Sequence, residues 1–480
     1  MSIARPPLAW RHRHREAAPA STVAEALAPL VRRIVGTELP VAVRFWDGSA
    51  LGPADGPATI VVRSPAAVRR LITAPNELGL GRAYVAGDID VEGDLDSLFG
   101  LWDRLVDGTG RVSLDLGPSG WLSALQGARD AGALGLPPRP PAEEIHLRGR
   151  IHSRLRDRKA VSSHYDVGND FYRLVLGPSL TYSCAYFADA TESLEVAQER
   201  KYELIAAKLG LEEGMRLLDV GCGWGGMVLH AAAHHGVRAV GVTVSDEQWR
   251  LARERVEARG LCDRVEIRRA DYREIDDGPY DAISSIGMYE HVGSEHLEEY
   301  LGILFRLLRP EGRLLNHGIS RPWAPPGRLR PRPRSFMERY VFPDGELHEV
   351  GAVVTAMQRG GFEVRDVQSL REHYALTLRR WTGNLERRWP EAVALVGPGR
   401  ARIWRLYMAG CAVNFEAGRT NIHQVLAVRP TPTGGSGMPL RRLGVSAPPH
   451  RDGVSSSTGA AAPAPWPPRS AGRRAPSRSG

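Results

Sequence analysis

A glycine-rich stretch at residues 218–226 carries the clearest chemical signal in this sequence. It reads Leu-Asp-Val-Gly-Cys-Gly-Trp-Gly-Gly, follows a short apolar run and precedes residues 226–235, which predict a helix. A strand that turns through glycines into a helix directs backbone N–H groups at a ligand, and the missing Cβ atoms allow close approach. The stretch therefore predicts a binding site for a nucleotide-sized ligand.

Two kinds of nucleotide ligand compete for this site. Gly221, Gly223 and Gly226 match G-x-G-x-x-G, the dinucleotide fingerprint, but that match alone is weak. Asp219 favours another ligand, because Asp-x-Gly-x-Gly-x-Gly resembles the cofactor loop of class I S-adenosylmethionine (SAM) methyltransferases. The next predicted strand, 238–244, also lacks the acidic residue that a dinucleotide site needs at its end. We interpret the loop as a SAM site and keep an NAD-dependent oxidoreductase as the alternative from another class.

The elements around the loop alternate between strands and helices. Helices are predicted at 195–209, 226–235, 246–259 and 294–308, and strands at 215–220, 238–244, 265–267, 280–284 and 312–317. This alternation predicts an α/β fold with a doubly wound, Rossmann-like, mostly parallel sheet. Ligands of such sheets bind beyond the carboxyl ends of the strands.

The residues that follow the predicted strands are therefore the candidates for cofactor binding. They are Asp219, Gly221, Cys222, Gly223, Gly225, Thr243, Ser245, Gln248, Asp271 and Tyr272. Taken alone, Asp271 could be a turn residue. Glu290, after the fourth strand, could cap a helix, and His317, in the fifth, could be a satisfied core histidine.

Several further motifs resemble one family, the cyclopropane-fatty-acyl-phospholipid synthases, which are relatives of the mycolic acid cyclopropane synthases. Residues 164–172 resemble the family's H-Y-D-x-x-x-D-F-[FY] opening, and residues 181–187 resemble its Y-S-C-A-Y-[FW] segment. Segments 218–226, 243–248, 288–293 and 340–345 complete the series. The resemblance covers residues 160–428. Residues 22–125 resemble, more loosely, the N-terminal domain of the longer bacterial synthases.

The resemblance implies that the methyl group of SAM becomes a methylene bridge across a cis double bond of a phospholipid acyl chain. An alkene needs no activation by a protein base, so positioning and water exclusion would carry much of the catalysis. Aromatic faces could stabilise the carbocation that methyl transfer leaves. The candidates are Tyr182, Tyr186, Phe187 and Tyr289.

The resemblance also implies a bound bicarbonate as the base that removes a methyl proton. Its holders would be Cys184, Glu290, His317, Ile319 (through its backbone) and Tyr374, and Tyr182 and Ser183 would join the cofactor site. A related alternative is a fatty acid methyltransferase that makes methyl-branched or methylene products. A catalytically idle lipid-binding protein is a further alternative, which the complete bicarbonate set disfavours.

Three segments depart from the family pattern. Residues 316–319 read Asn-His-Gly-Ile where Leu-His-Thr-Ile is usual, and Glu416 stands in a segment where the family has basic residues. Residues 321–334 are rich in Pro and Arg. These departures put acyl-chain or headgroup preference in doubt more than the chemistry.

The whole chain of 480 residues is long enough for two folded domains. We predict a flexible N-terminus at 1–21, an accessory lipid or dimerisation domain at 22–125, a Pro/Arg-rich linker at 126–159, a catalytic domain at 160–430 and a tail at 431–480. The tail holds seven arginines against one acidic residue and much Pro, Gly and Ser, which favours a disordered basic terminus over a lipid tether.

The cysteines and the hydropathy bear on cellular location. Four scattered cysteines form no C-x-x-C pair, which argues against a zinc site or disulfides, fits a reducing cytoplasm and leaves no metal expected. No signal peptide and no membrane-spanning run is recognisable. We expect a cytoplasmic enzyme that is peripherally associated with the inner face of the membrane, with a phospholipid surface and not nucleic acid as its partner. The resemblance suggests a homodimer.

Overall fold

The computed structural model of the protein describes residues 21–36, 38–93, 117–147, 149, 151, 153, 156, 167–323 and 335–440. The predicted tail beyond 440, residues 1–20 of the N-terminus and most of the linker from 148 to 159 lie outside the described residues. So do His164, Tyr165 and Asp166 of the opening motif.

The N-terminal part is a small α/β module. Its elements are α1 (Val23–Val35), β1 (Ala42–Arg44), β2 (Ala50–Leu51), β3 (Ala58–Val62), α2 (Pro65–Thr73), α3 (Glu77–Val85), β4 (Ile89–Gly93) and α4 (Gly117–Asp130). The strands form a sheet in the order β2-β1-β3-β4. Thr22 and Glu25 make a reciprocal capping box that begins α1, and Ser64 caps α2 just before Pro65.

The larger part surrounds a seven-stranded sheet. Its helices are α5 (Asn169–Leu176), α6 (Leu194–Leu209), α7 (Gly226–His235), α8 (Asp246–Ala258), α9 (Leu297–Leu307), α10 (Phe336–Tyr340), α11 (Val350–Arg359), α12 (Arg371–Arg387) and α13 (Trp389–Glu416). Its strands are β5 (Arg216–Val220), β6 (Arg238–Thr243), β7 (Val265–Arg269), β8 (Tyr280–Ile286), β9 (Leu308–Ser320), β10 (Glu363–Ser369) and β11 (Asn421–Val428).

The sheet has the order β10-β11-β9-β8-β5-β6-β7. Strands β5 to β9 pair in parallel, as the doubly wound prediction requires, and β11 pairs antiparallel with both β9 and β10. Strand β5 lies between β6 and β8, so the order of the chain reverses on its two sides. The switch point of the sheet is therefore at the end of β5, where the glycine loop begins.

The predicted helix 294–308 and strand 312–317 have different bounds in the structure. Residues 294–296 form a separate 3₁₀ turn after Gly293, whose φ of 81° no regular helix accepts. Helix α9 ends at Leu307 and β9 begins at Leu308, so Pro310, which has no N–H to donate, lies within the strand that runs to Ser320. No helix in the described part of the chain is long and apolar enough to cross a membrane.

A buried carboxylate of the linker, that of Glu144, joins the N-terminal module to the larger part. Arg82 on α3 donates two hydrogen bonds of 2.8 Å to Glu144, whose side chain has no exposed surface. The Tyr340 hydroxyl donates to the same carboxylate at 3.2 Å. The ring of Phe336 lies against Gly81, where an added Cβ would be 2.4 Å from a ring carbon. Polar and apolar contacts thus join α3 to α10.

Replacing Arg82 should destabilise this contact. We expect Arg82→Met to lower the free energy of unfolding by about 2 to 3 kcal/mol, because it leaves a buried carboxylate with weaker partners. Urea denaturation measures the change. Arg44→Met is the matched control, since its ion pair with Glu92 is exposed on both sides and should be worth less than about 1 kcal/mol. Equal losses in the two variants would contradict the prediction.

Candidate active site

A cavity of about 440 Å³ opens at the carboxyl ends of β5, β6, β7 and β8. The glycine loop forms one wall. Gly221, Gly223 and Gly225 have φ values of 78°, 55° and 80°, a left-handed conformation that side chains with a Cβ rarely adopt. Gly226 is required for another reason: a Cβ there would lie 2.0 Å from the hydroxyl of Tyr202 on α6.

Trp224 fixes the loop to the family's opening motif. Its indole N–H donates to the Asn169 side chain at 2.9 Å, and its ring centroid lies 4.7 Å from that of Tyr172. Trp224 and Tyr172 are fully or almost fully buried. Residues 169–172 and the glycine loop are therefore parts of one packed unit, although they are far apart in the sequence.

Two opposite charges are buried in the cavity wall. Asp219, 2% exposed, accepts a hydrogen bond of 2.6 Å from Ser284, and its pKa is raised to about 6 by burial. Lys201, 1% exposed, donates to the Ser183 hydroxyl at 3.2 Å, and burial lowers the pKa of its ammonium to about 7. The Nζ atom of Lys201 also lies 3.7 Å from the ring centroid of Tyr202.

Ten of the twelve predicted cofactor-binding residues line the cavity. They are Tyr182, Ser183, Asp219, Gly221, Cys222, Gly223, Thr243, Gln248, Asp271 and Tyr272. Asp271 also accepts two hydrogen bonds from the Arg273 guanidinium, at 2.6 and 2.8 Å. It therefore lines the cavity and forms an ion pair at the same time.

Gly225 and Ser245 do not line the cavity, and their contact with the cofactor stays a prediction. Ser245 is fully buried, and its hydroxyl accepts from the Gln248 backbone N–H at 3.3 Å, which caps α8. Gly225 occupies the N-cap of α7, and a Cβ on it would touch Ala252. Both residues support the cavity by shaping the helices beside it.

Lys201 and Tyr202 are cavity residues that sequence reasoning missed. They lie on α6, which precedes the first strand of the sheet, whereas most of the predicted cofactor residues follow strands. The sequence contained a usable signal, because Lys201 lies at helical spacing between Ala197 and Ile205. In the structure all three residues are buried. A lysine on the apolar face of a helix indicates a buried ammonium that needs partners.

The five residues predicted to hold bicarbonate are outside the lining of this cavity and largely buried. Glu290 accepts a hydrogen bond of 2.7 Å from the Ile319 backbone N–H, and His317 Nδ1 accepts one of 3.1 Å from Gln424. Glu290 Oε2 and His317 Nε2 are buried and have no hydrogen-bond partner among the residues that the structure describes. Burial raises the pKa of Glu290 to about 7 and lowers the pKa of His317 well below its ordinary value.

Cys184 and Tyr374 are buried in the same region. Both belong to one apolar cluster. Burial is the largest cause of the raised pKa of Tyr374, and negative charge on Cys184 or Glu290 would raise it further. The Cys184 thiol donates to the Ala185 carbonyl at 3.2 Å, and burial raises its pKa, so it stays protonated.

Both backbone groups of Ile319 are in hydrogen bonds. Its N–H is bonded to Glu290, and its carbonyl accepts from the Tyr289 hydroxyl, so both backbone groups serve the turn that carries these two residues. This turn, Tyr289–His291, packs directly on β9. Ile319 therefore positions the Glu290 carboxylate and does not itself offer a free backbone donor.

The Gly318 departure from the family pattern has a steric cause. The Tyr289 ring covers this residue so closely that a Cβ would lie 2.0 Å from a ring carbon. The threonine that is usual in the family would collide with Tyr289 in this arrangement. Gly318 and Tyr289 are therefore a matched pair.

The two other departures from the family pattern are Glu416 and the Pro/Arg-rich segment. Glu416 accepts two hydrogen bonds from Arg379, at 2.9 and 2.8 Å, which joins α13 to α12. Residues 324–334 of the Pro/Arg-rich segment lie outside the described residues.

Of the four aromatic candidates, Tyr182 lines the cavity, Tyr289 packs on Gly318, and Tyr186 and Phe187 lie beside His373.

The strand order and the cavity at the switch point define the class I methyltransferase fold. Residues 152–425 match the mycolic acid cyclopropane synthetase family, and residues 32–104 match a domain of unknown function. This chain belongs to the mycolic acid cyclopropane synthetase family.

Individual relatives agree with this assignment. A probable fatty acid methyltransferase of Mycobacterium tuberculosis is 44% identical over 84% of this chain and 94% of its own length. The cyclopropane-fatty-acyl-phospholipid synthase of Escherichia coli K12 is 37% identical over 58% of this chain and 70% of its own length. The structure of mycolic acid cyclopropane synthase CmaA1 complexed with SAH and CTAB is similar with a TM-score of 0.52 at 34% identity, covering 56% of this chain and 97% of that chain.

The buried Glu290 should make stability depend on pH. Its folded pKa of about 7 exceeds the ordinary 4.5, so folding favours the protonated carboxyl. The resulting stabilisation is complete below about pH 4.5 and is lost as the pH rises through about 7. Relative to Glu290→Gln, the natural protein should lose on the order of 3 kcal/mol between about pH 4.5 and 8, measured by urea denaturation in degassed buffer. Parallel pH profiles for the two proteins would contradict this.

Proposed function

We propose that this protein transfers the methyl group of SAM to the cis double bond of an unsaturated phospholipid acyl chain and closes a cyclopropane ring. The observation that carries the proposal is that two buried polar atoms, Glu290 Oε2 and His317 Nε2, have no hydrogen-bond partner within the described part of the chain. Buried polar atoms normally have partners, so this pair suits a small polar ligand such as bicarbonate. Family membership and the relatives' names support the acyl chain as the acceptor.

The residues of the cavity fit SAM. Its size and its glycine wall suit a nucleoside, Asp219 suits the amino group and Lys201 suits the carboxylate. The related CmaA1 structure is a complex with SAH, which supports the same class of ligand here. When bound, SAM supplies an electrophilic methyl group. The chain itself needs only to orient the two reactants and to exclude water.

Aromatic side chains continue from the cavity into an apolar cluster. The ring centroid of Tyr182 lies 5.3 Å from that of Trp381 and 5.8 Å from that of Trp404, and its hydroxyl donates to Tyr407 at 3.0 Å. These rings would face an acyl chain and stabilise positive charge that develops on it. Tyr182 serves both ligands in this proposal, since it also lines the cofactor cavity.

The protonation states of Glu290 and His317 fit a bicarbonate ligand. Gln424 donates to His317 Nδ1, so the neutral imidazole carries its proton on Nε2 and can donate it to an anion. Glu290, with a pKa of about 7, can share a proton with a bicarbonate oxygen through Oε2. Bicarbonate would supply the base that takes up the methyl proton. Cys184 and Tyr374 would bound this site on its apolar side.

A second candidate function is a fatty acid methyltransferase that makes methyl-branched or methylene products. It is favoured by the name of the relative that matches 84% of this chain, a probable fatty acid methyltransferase. The two reactions share the alkylation step and differ in how the cation loses its charge. In either case we propose a peripheral enzyme at the cytoplasmic face of a phospholipid membrane, as a homodimer.

Product analysis separates the two candidates. The protein is incubated with SAM, bicarbonate and dioleoyl phospholipid vesicles, and the fatty acid methyl esters are analysed by gas chromatography–mass spectrometry. Cyclopropanation adds one CH₂ and removes the double bond without a reductant. A product that keeps an alkene, or a saturated branched product that requires a reductant, would refute cyclopropanation and support the second candidate.

Glu290 and His317 should matter for turnover and not for cofactor binding. We expect Glu290→Gln and His317→Ala to reduce turnover about 100-fold or more, because each loses one contact to the base. Titration calorimetry should find SAM affinity unchanged, since neither residue lines the cavity. His296→Ala, on an exposed turn, is the control and should keep full turnover. Loss of SAM binding in both site variants would contradict these roles.

Lys201 should hold the carboxylate of the cofactor. We expect Lys201→Met to weaken SAH binding about 10- to 100-fold, the effect of losing one charged hydrogen bond, and to leave binding of methylthioadenosine, which has no carboxylate, almost unchanged. Lys208→Met is the matched control, because Lys208 is also buried on α6 but pairs with Asp366. Titration calorimetry measures the affinities of the natural protein and of both variants for SAH and for methylthioadenosine. Equal losses for the two ligands would contradict the assignment.

A further inference from the structure

Three metal-ligating side chains converge between α6 and α7, outside the lining of the cofactor cavity. Glu203 comes from α6, and His230 and His235 come from α7. Glu203 Oε2 lies 3.3 Å from His230 Nε2 and 3.0 Å from His235 Nε2. The three ligand atoms all lie within 4.8 Å of one another.

These separations fit one tetrahedral ion. Zinc binds imidazole nitrogen at about 2.0–2.1 Å and carboxylate oxygen at about 2.0–2.2 Å, which places neighbouring ligand atoms roughly 3.3–3.5 Å apart. The two distances to Glu203 are close to that value, so a small opening of the cluster admits an ion. Two histidines and one glutamate leave a fourth position for water.

The exposure of the groups also suits a metal. The His230 side chain is 11% exposed, so its imidazole lies on the inner side of the group. The Glu203 side chain is 56% exposed and provides a negative charge at the open side. An ion can therefore enter from solvent at the carboxylate and meet the imidazole nitrogens beside it.

We propose that Glu203, His230 and His235 form a binding site for one divalent first-row transition ion of the zinc type. The site uses none of the cysteines, whose spacing led to the expectation of no metal. It stands independently of the proposed methyl transfer. Without an ion, the same geometry is two imidazole N–H groups that share one carboxylate oxygen, and experiment separates these two states.

The ion would hold α6 against α7 behind the glycine loop. The ring centroid of His230 lies 5.5 Å from that of Tyr202, the residue before Glu203. Tyr202 lines the cofactor cavity, and its hydroxyl packs on Gly226, at the start of α7. A bond between the two helices at Glu203 would therefore fix the spacing on which that packing depends.

Zinc binding is tested on the untagged full chain after removal of metals by chelation. A competition titration of Zn²⁺ against a chromogenic chelator should give one bound ion per chain. We expect Glu203→Ala and His235→Ala each to weaken the affinity at least tenfold. Glu203 is exposed, so that variant should fold, and circular dichroism checks both.

His234→Ala is the matched control. His234 lies on the same turn of α7, with its ring centroid 4.6 Å from that of His230, but it contributes no atom to the ligand group. It should retain zinc affinity, and Zn²⁺ should raise the melting temperature of the natural protein and of His234→Ala only. Equal affinity in the natural protein and both ligand variants, or loss of binding in His234→Ala alone, would overturn the proposal.

Discussion

The buried ammonium of Lys201 is the interaction on which the rest of the site depends. Removing a charge from water is costly unless neighbouring groups replace the lost hydration. Here the Ser183 hydroxyl, the Tyr202 ring and the Asp219 carboxylate provide that replacement. The same charge also lowers the pKa of His317, in addition to the larger effect of burial. One lysine therefore helps to hold Asp219 ionised and His317 neutral, the states that the proposed SAM and bicarbonate sites would require.

The strand-to-helix turn at 218–226 was predictable because its signal is local. Glycines at 221 and 223 have the left-handed backbone that the pattern indicates, and a chain that alternates strands and helices has few alternatives to a doubly wound sheet. The cavity residues at the ends of β5 to β7 followed from that topology. Ser245 lies outside the cavity lining for a related reason, since the residue after a strand is also the position that caps the next helix.

The features that sequence reasoning missed depend on contacts between distant segments. Lys201 reaches the cavity because α6 packs across the sheet, and the antiparallel strand β11, which follows two long helices, lies between β10 and β9. The role of Gly318 could not be derived from its own neighbours either. It depends on the position of the Tyr289 ring, which in turn bonds to the Ile319 carbonyl. Contacts among three residues such as these follow no periodic pattern, so they cannot be recognised from neighbouring residues in a single sequence.

The contact between α3 and α10 has an evolutionary consequence. The part of the chain that matches the mycolic acid cyclopropane synthetase family begins at residue 152, beyond the whole N-terminal module. Yet Phe336 on α10 packs on Gly81, and Arg402 and Arg405 on α13 bond to Asp90 and Tyr84 of that module. A lineage that gained or lost the module would have to change these surface residues at the same time. The two parts of this chain are therefore expected to have been inherited together, and exchanging modules between relatives would require their contact residues to be exchanged as well.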